Sequence, residues 1–298
     1  VAGQKEGFGA LFRLSSGKDQ NEGLSKSNVN VNVTNVNVTN ANVTNGNGNV
    51  INVTVDTPNN LTATLSYVGQ WSRGQMHGEA FYNGDTWTYM GSFARGRITG
   101  KGKMDWKPRN PDPENPALPL SSAAAPPLIS PEAPFARFVG DFKDERHHGF
   151  GEMINPNGTT YKGQFRAGVY HGFGAWKSKT QVYEGTFVDG NKAFGRLKFV
   201  STGASYVCDL SQGACNGLGR FVPTGNSPRF EGEYVNGKKH GHGTETHPSG
   251  NFYTGGWALG DRSGYGQAKD ADRFYRGMWA EGKMHGLGRH EYADGSSY

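Results

Sequence analysis

Three histidines fall within eight residues, His240, His242 and His247, inside the stretch EYVNGKKHGHGTETH (233–247). Imidazoles at that spacing could ligate zinc, and the Gly-His-Gly they share invites comparison with a loop that grips phosphate. Neither chemistry is supported further along the chain. His77, His148, His171, His240 and His285 each occupy the same place in a separate copy of one motif, and no Cys or carboxylate cluster joins His240 and His242. Gly-x-Gly recurs many times, at Gly7/Gly9, Gly100/Gly102 and again ahead of Gly151, Gly174, Gly219, Gly243, Gly266 and Gly288. Each copy leads into more strand-type sequence and a turn, whereas a nucleotide loop opens a helix whose N-terminus faces the phosphate. There is no Gly-x-Ser-x-Gly elbow, and neither carboxylates nor a Cys/His pair are placed for catalysis. We expect no enzyme, no metal and no other cofactor. Cys208 and Cys215 read as space-filling side chains.

Two other sets could bind. Arg97, Arg146, Lys192, Lys238, Lys239, Arg262 and Lys283 each follow a turn-type dipeptide, so in register they form a basic row suited to acidic lipid headgroups or an acidic protein. Asp144, Glu145, Asp189, Asp261 and Glu281 lie on the same edge and offset much of that charge. The second set is a ladder of aromatic pairs four residues apart: Tyr67 and Trp71, Tyr89 and Phe93, Phe138 and Phe142, Tyr161 and Phe165, Tyr183 and Phe187, Phe230 and Tyr234, Tyr253 and Trp257, Tyr275 and Trp279.

What positions these side chains is a repeat. YVGQWSRGQMHGEA from Tyr67, YKGQFRAGVYHGFGA from Tyr161, FEGEYVNGKKHGHGT from Phe230 and YRGMWAEGKMHGLGR from Tyr275 share one frame. An aromatic residue opens it, with Gly at +2, an aromatic at +4, Gly at +7, often His at +10, and Gly at +11. Nine repeats begin at Tyr67, Tyr89, Phe138, Tyr161, Tyr183, Tyr206, Phe230, Tyr253 and Tyr275, spaced 22 to 24 residues apart within uninterrupted runs, and Tyr298 would begin a tenth. Gly3, Gly7, Gly9 and Gly17 match the back half of a repeat whose front is absent, so we read the chain as a section of a longer array.

Positions 0, +2 and +4 share one face of a strand, because strand side chains alternate. Asn236-Gly237, Glu281-Gly282, Ala167-Gly168 and Asp189-Gly190 then mark two-residue hairpin turns with positive φ at both residues. The glycines of the return strand leave room for rings to lean in. Three repeats depart from the frame. Glu145 replaces the turn glycine of the third, Phe194-Gly195 sets a glycine one residue late in the fifth, which we read as a bulge, and Cys208 and Leu210 replace glycine and an aromatic in the sixth.

The motif Y-x-G-x-W-x-x-G-x-x-H-G-x-G resembles the MORN repeat (membrane occupation and recognition nexus). The resemblance implies an all-β fold, an elongated single-layer antiparallel meander of hairpins of about 23 residues each. Nine hairpins would give eighteen strands, on the order of 85 Å of sheet. The organisation expected is a partial repeat at 1–17, an insertion at 18–66, repeats at 67–106, a second insertion at 107–137, and repeats from 138 to 298. The first insertion contains NVNVT twice and is uncharged at its centre, and the second is rich in Pro and Ala, so we expect both to be disordered. The Asn-x-Thr sequons at Asn32, Asn37, Asn42 and Asn52 read as by-products of the repeated phrase.

Composition agrees. Glycine is 46 of 298 residues, while hydrophobic residues are only 34% and aromatics 12%, which suits thin, turn-rich sheet with ring-based burial. A net charge of +5 is too small for a dedicated nucleic-acid binder. Two cysteines and no apolar span point to a reducing, cytoplasmic setting. The resemblance implies a non-enzymatic scaffold that binds proteins, including itself, in cytoskeletal, flagellar or membrane-adjacent structures. It also leaves open a tether to acidic phospholipids, and an accessory segment of a larger enzyme such as a phosphatidylinositol phosphate kinase.

Overall fold

The computed structural model describes residues 7–16, 28–29, 55–56, 61–107 and 136–298. The chain divides into two compact bodies, residues 1–157 and 158–298. The first holds β1 (Gly7–Ser16), β2 (Asn28–Val29), β3 (Val55–Asp56), β4 (Leu61–Ser72), β5 (Gln75–Asn83), β6 (Trp87–Ala94), β7 (Arg97–Trp106), β8 (Arg137–Lys143) and β9 (Arg146–Ile154). The second holds β10 (Thr160–Arg166), β11 (Val169–Lys177), β12 (Gln181–Val188), β13 (Asn191–Phe199), β14 (Ser205–Asp209), β15 (Asn216–Val222), β16 (Arg229–Val235), β17 (Lys238–Thr246), β18 (Phe252–Ala258), β19 (Asp261–Asp270), β20 (Arg273–Ala280) and β21 (Lys283–Tyr292). Every described element is a strand. Within each body consecutive full-length strands pair antiparallel, and each of the nine repeats forms one hairpin.

Type I′ geometry fixes the tight turns. Arg73-Gly74, Arg95-Gly96, Ala167-Gly168, Asp189-Gly190, Asn236-Gly237, Leu259-Gly260 and Glu281-Gly282 all place both residues at positive φ. Asp144-Glu145 does the same, and Glu145 holds φ 65° without being glycine, a strain of order 1 kcal/mol. Several turns are stitched to the preceding repeat. The N–H groups of Gly96, Gly190, Gly260 and Gly282 donate to the carbonyls of Met76, Tyr170, Lys239 and Arg262.

Two glycine positions have separate causes. The glycine at +11 sits in a bulge: Gly163 pairs with Gly174 and Phe165 with Tyr170, so Gln164 alone opposes His171, Gly172 and Phe173. Gly172 reaches φ 62° there, and Gly78, Gly100, Gly149, Gly217, Gly241, Gly264 and Gly286 match it. The fifth repeat keeps a bulge, with Ala193 and Phe194 opposing Thr186, one residue fewer than in the fourth, and Gly195 lies beyond it as the partner of Gly185. The glycines at +2 and +13 form facing pairs, as in Gly91 with Gly102, Gly140 with Gly151, Gly232 with Gly243 and Gly277 with Gly288. A ring lies over each pair.

The insertions are partly strand. Asn28–Val29 pairs with β1, Val55–Asp56 with β4, and residues 61–66 extend β4 against β1. These residues fall within the 18–66 insertion, where alternating side chains let short segments pair. The remainder of the first insertion, with the four sequons, and residues 108–135 of the second lie outside the described residues.

Candidate functional site

The aromatic ladder is the core. Fifteen of its sixteen rings are no more than 5% exposed, and Trp71 is half-buried. A single layer achieves this by stacking. The Tyr161 ring lies over Gly163 and Gly174, where a Cβ would come within 2.6 Å of its hydroxyl or ring atoms. Its hydroxyl donates to the Gln164 carbonyl at 2.8 Å, and Phe165 and Phe187 meet it edge-on at 5.1 and 5.0 Å. Tyr67, Tyr183, Tyr253 and Tyr275 donate to the equivalent carbonyls of Gln70, Thr186, Gly256 and Met278. Burial pushes the phenols of Tyr67 and Tyr161 up to about 12. The ladder, expected from its sequence to be a binding face, therefore offers little open face to a partner. Its aromatic area is already covered by neighbouring rings and by side chains at +9.

The basic row divides in two. Strand alternation sends +8 and +9 to opposite faces. Arg97, Arg146, Lys238 and Lys283, at +8, are exposed. Lys192, Lys239 and Arg262, at +9, fold onto the ladder and are half-buried. Lys192 Nζ lies 3.8 Å from the Trp176 ring centre, and burial lowers its pKa. Lys239 lies 4.5 Å from Trp257 and 5.0 Å from Phe230, and Arg262 lies 4.8 Å from Tyr253. Both cations bind Glu245, Lys239 by a short contact and Arg262 at 3.1 Å, and His247 stands 3.5 Å away. Glu245 is buried, which raises its pKa, yet the two cations outweigh that and hold its carboxyl below the usual range. Equivalent positions elsewhere carry Met104, Met153, Trp176 and Phe221, so this charged cluster is particular to one repeat.

The histidines do not converge. His240 is half-buried, His242 is exposed, and among the described residues no group of three or more His, Cys, Asp or Glu could hold a metal. His147 at +9 is stacked 3.9 Å over Phe138, and burial lowers its pKa to about 4. The cysteines are not passive fillers. Cys208 and Cys215 form a disulfide across the β14–β15 hairpin.

Sequence reasoning missed one feature on the opposite face. The residue between the two return-strand glycines points outward, and Phe150, Phe173, Phe194, Leu218, Tyr265 and Leu287 are all exposed there. Their recurrence at one offset, or one residue early in the shortened fifth repeat, was the available signal. The MORN repeat family matches seven segments, residues 67–86, 89–110, 138–160, 161–179, 230–252, 253–272 and 275–297, together half of the chain. The chain belongs to the MORN-repeat family. A comparison with characterised proteins gave no match. MORN repeats occur in protein-binding and membrane-associated scaffolds and are typically non-catalytic. The two MORN hairpins outside the matched segments are the fifth, whose bulge is one residue shorter, and the sixth, which carries the disulfide.

Proposed function

We propose that this chain is a non-enzymatic scaffold that binds proteins through the face opposite its aromatic ladder. The observation that carries this reading is the outward row. Phe150, Phe173 and Leu218 are 63%, 64% and 76% exposed, large apolar side chains that folding does not use. Within the second body Phe173, Phe194 and Leu218 stand on alternate strands, about 10 Å from one to the next, and apolar surface arranged this way suits a protein partner or another copy. A cytoskeletal or membrane-adjacent setting belongs to the same proposal, while the Cys208–Cys215 disulfide runs against the reducing cytoplasm expected from the cysteine count. The test is to change Phe173, Phe194, Leu218 and Tyr265 together to Ser. Wild type should self-associate or retain protein partners in high salt, and the variant should not. A variant that behaves as wild type in both assays would remove the basis of the reading.

A second reading, attachment to acidic phospholipid, is supported by the four exposed +8 cations. It predicts sedimentation with anionic vesicles that falls steeply with salt and falls again in a variant neutralised at Arg97, Lys238 and Lys283. Absence of co-sedimentation at low salt would dismiss it. An accessory role in a larger enzyme requires a catalytic partner domain beyond these residues.

A further inference from the structure

The sixth repeat breaks the ladder in a way that defines what is missing from it. In five sister repeats the side chain at +9 packs on the opening ring. His147 stacks on Phe138 and Tyr170 on Tyr161, both at 3.9 Å, while Lys192, Lys239 and Arg262 cover Tyr183, Phe230 and Tyr253. In the sixth repeat +9 is Cys215, held in the disulfide with Cys208. Cys208 itself takes the place of the +2 glycine on which a ring normally lies, and its Cβ leans over Gly219. Tyr206 is consequently the one opening ring of the nine that is only half-buried, and it makes none of the carbonyl hydrogen bonds of its sisters.

A cavity of about 650 Å³ opens at this ring, a volume typical of ligand sites. Phe199, Phe221 and Tyr234 line it with Tyr206, at ring separations of 4.7 Å to Phe221, 6.1 Å to Tyr234 and 6.2 Å to Phe199. Hydroxyl groups and prolines from the β13–β14 and β15–β16 connections form the rest of the wall. Tyr234 is nine-tenths buried, and its hydroxyl has no hydrogen-bond partner. The only charged side chain lining the cavity is Lys239, and no carboxylate lines it.

We propose that this cavity binds a peptide segment of a partner protein by taking one uncharged aromatic side chain onto Tyr206. The inference rests on the scaffold reading and locates one contact for it. The sister repeats show that a flat ring or a cation fills this place. The lining selects between them, since Lys239 already takes up the Glu245 carboxylate and no other carboxylate lines the cavity to receive an incoming cation, whereas the rings of Phe199, Tyr206 and Phe221 offer apolar contact to an aromatic side chain.

The test uses the full chain and fluorescein-labelled nonapeptides of neutral Ser, Gly and Asn with one central Phe, Trp, Lys or Ala, read by anisotropy. The Phe and Trp peptides should bind about tenfold tighter than the Ala and Lys peptides. The double variant Cys208→Gly, Cys215→His restores the ring seat and the stacked imidazole seen at Phe138, and it should abolish that preference. If it fails to fold by circular dichroism, Tyr206→Ser with the disulfide intact should do the same. Equal binding of the Ala peptide, strongest binding of the Lys peptide, or a preference that survives the variants overturns the proposal. A flat peptide series alongside intact partner retention refutes the pocket alone. Aromatic preference alongside unaltered behaviour of the outer-face Ser variant refutes only the outer-face scaffold surface.

Discussion

Gly174→Ala tests the packing principle on which the ladder depends. The new Cβ would stand 2.4 Å from the Tyr161 hydroxyl and 2.6 Å from Cε2 and Cζ of the ring. The ring has nowhere to go, because Tyr170 is stacked on it at 3.9 Å and Phe165 and Phe187 hold its edges. Moving it also breaks the bond to the Gln164 carbonyl. Overpacking of about 2 kcal/mol and a lost hydrogen bond of about 1 kcal/mol give a destabilisation of about 3 kcal/mol. Gly168→Ala is the control. Its Cβ meets nothing within 4 Å, and only its φ of 93° opposes the change, for about 1 kcal/mol. Repeat arrays open locally, so the readout is amide hydrogen exchange of β10, β11 and β12 by mass spectrometry. Exchange should accelerate about 150-fold in Gly174→Ala and about fivefold in the control. If the two variants exchange alike, the ring does not depend on the missing Cβ and the account of the +13 glycine is wrong.

Three further perturbations address the ladder face. His147 has a folded pKa of about 4 through burial, against about 6.5 unfolded, so its contribution is complete above pH 6.5 and declines as pH falls toward 4; at pH 5 the loss is about 2 kcal/mol. Melting His147→Phe and wild type at pH 7 and pH 5 should show a smaller acid loss in the variant, and equal losses would contradict the assignment. Reducing Cys208–Cys215, separated by 7 residues, should weaken the β14–β15 hairpin by about 2.5 kcal/mol on chain-entropy grounds, visible as faster exchange of those amides alone; unchanged exchange would show that the hairpin holds without it. Glu245→Ala strips the carboxylate from Lys239 and Arg262 and should cost about 2 kcal/mol. Glu245 has a depressed folded pKa, so its net contribution is present at neutral pH and is lost as pH falls through that value. A Glu245→Leu, Lys239→Met, Arg262→Met variant should recover stability if the cluster only fills the apolar slot used elsewhere, and a failure to recover would show that the charges contribute more than volume.

The hairpins were legible because their determinants are local. Asn236-Gly237 can form a type I′ turn whatever surrounds it, and aromatic, glycine, aromatic at alternate positions assigns a face without tertiary information. The basic row was misread because sequence register alone does not separate +8 from +9; only strand alternation sends Lys238 outward and Lys239 onto Trp257. The role of the glycine in the fifth repeat was ambiguous for a related reason. Gly172 and Gly174 look like one Gly-x-Gly motif, but the first is needed for its φ and the second for its missing Cβ. The fifth repeat lacks the first and keeps the second, and spacing alone could not tell which had moved.

The division of labour between faces follows from that alternation. Every ladder position answers to its neighbours on both sides, so a change there propagates as a clash or a void. On the opposite face the residue at +12 touches little, and the chain places Glu79, Lys101, Phe150, Phe173, His242 or Leu287 there without altering the hairpin. Specificity for partners can therefore vary along the outer row while the fold stays constant. The ladder face can take part only where its own code fails, and in this chain that happens at Tyr206. There the disulfide keeps the hairpin closed while removing the side chain that would have covered the ring. A repeat that had lost its aromatic residue at +4 and its glycine at +2 without a covalent link would be expected to open. One that keeps the hairpin while exposing a ring has separated folding from binding on the one face where the other repeats cannot.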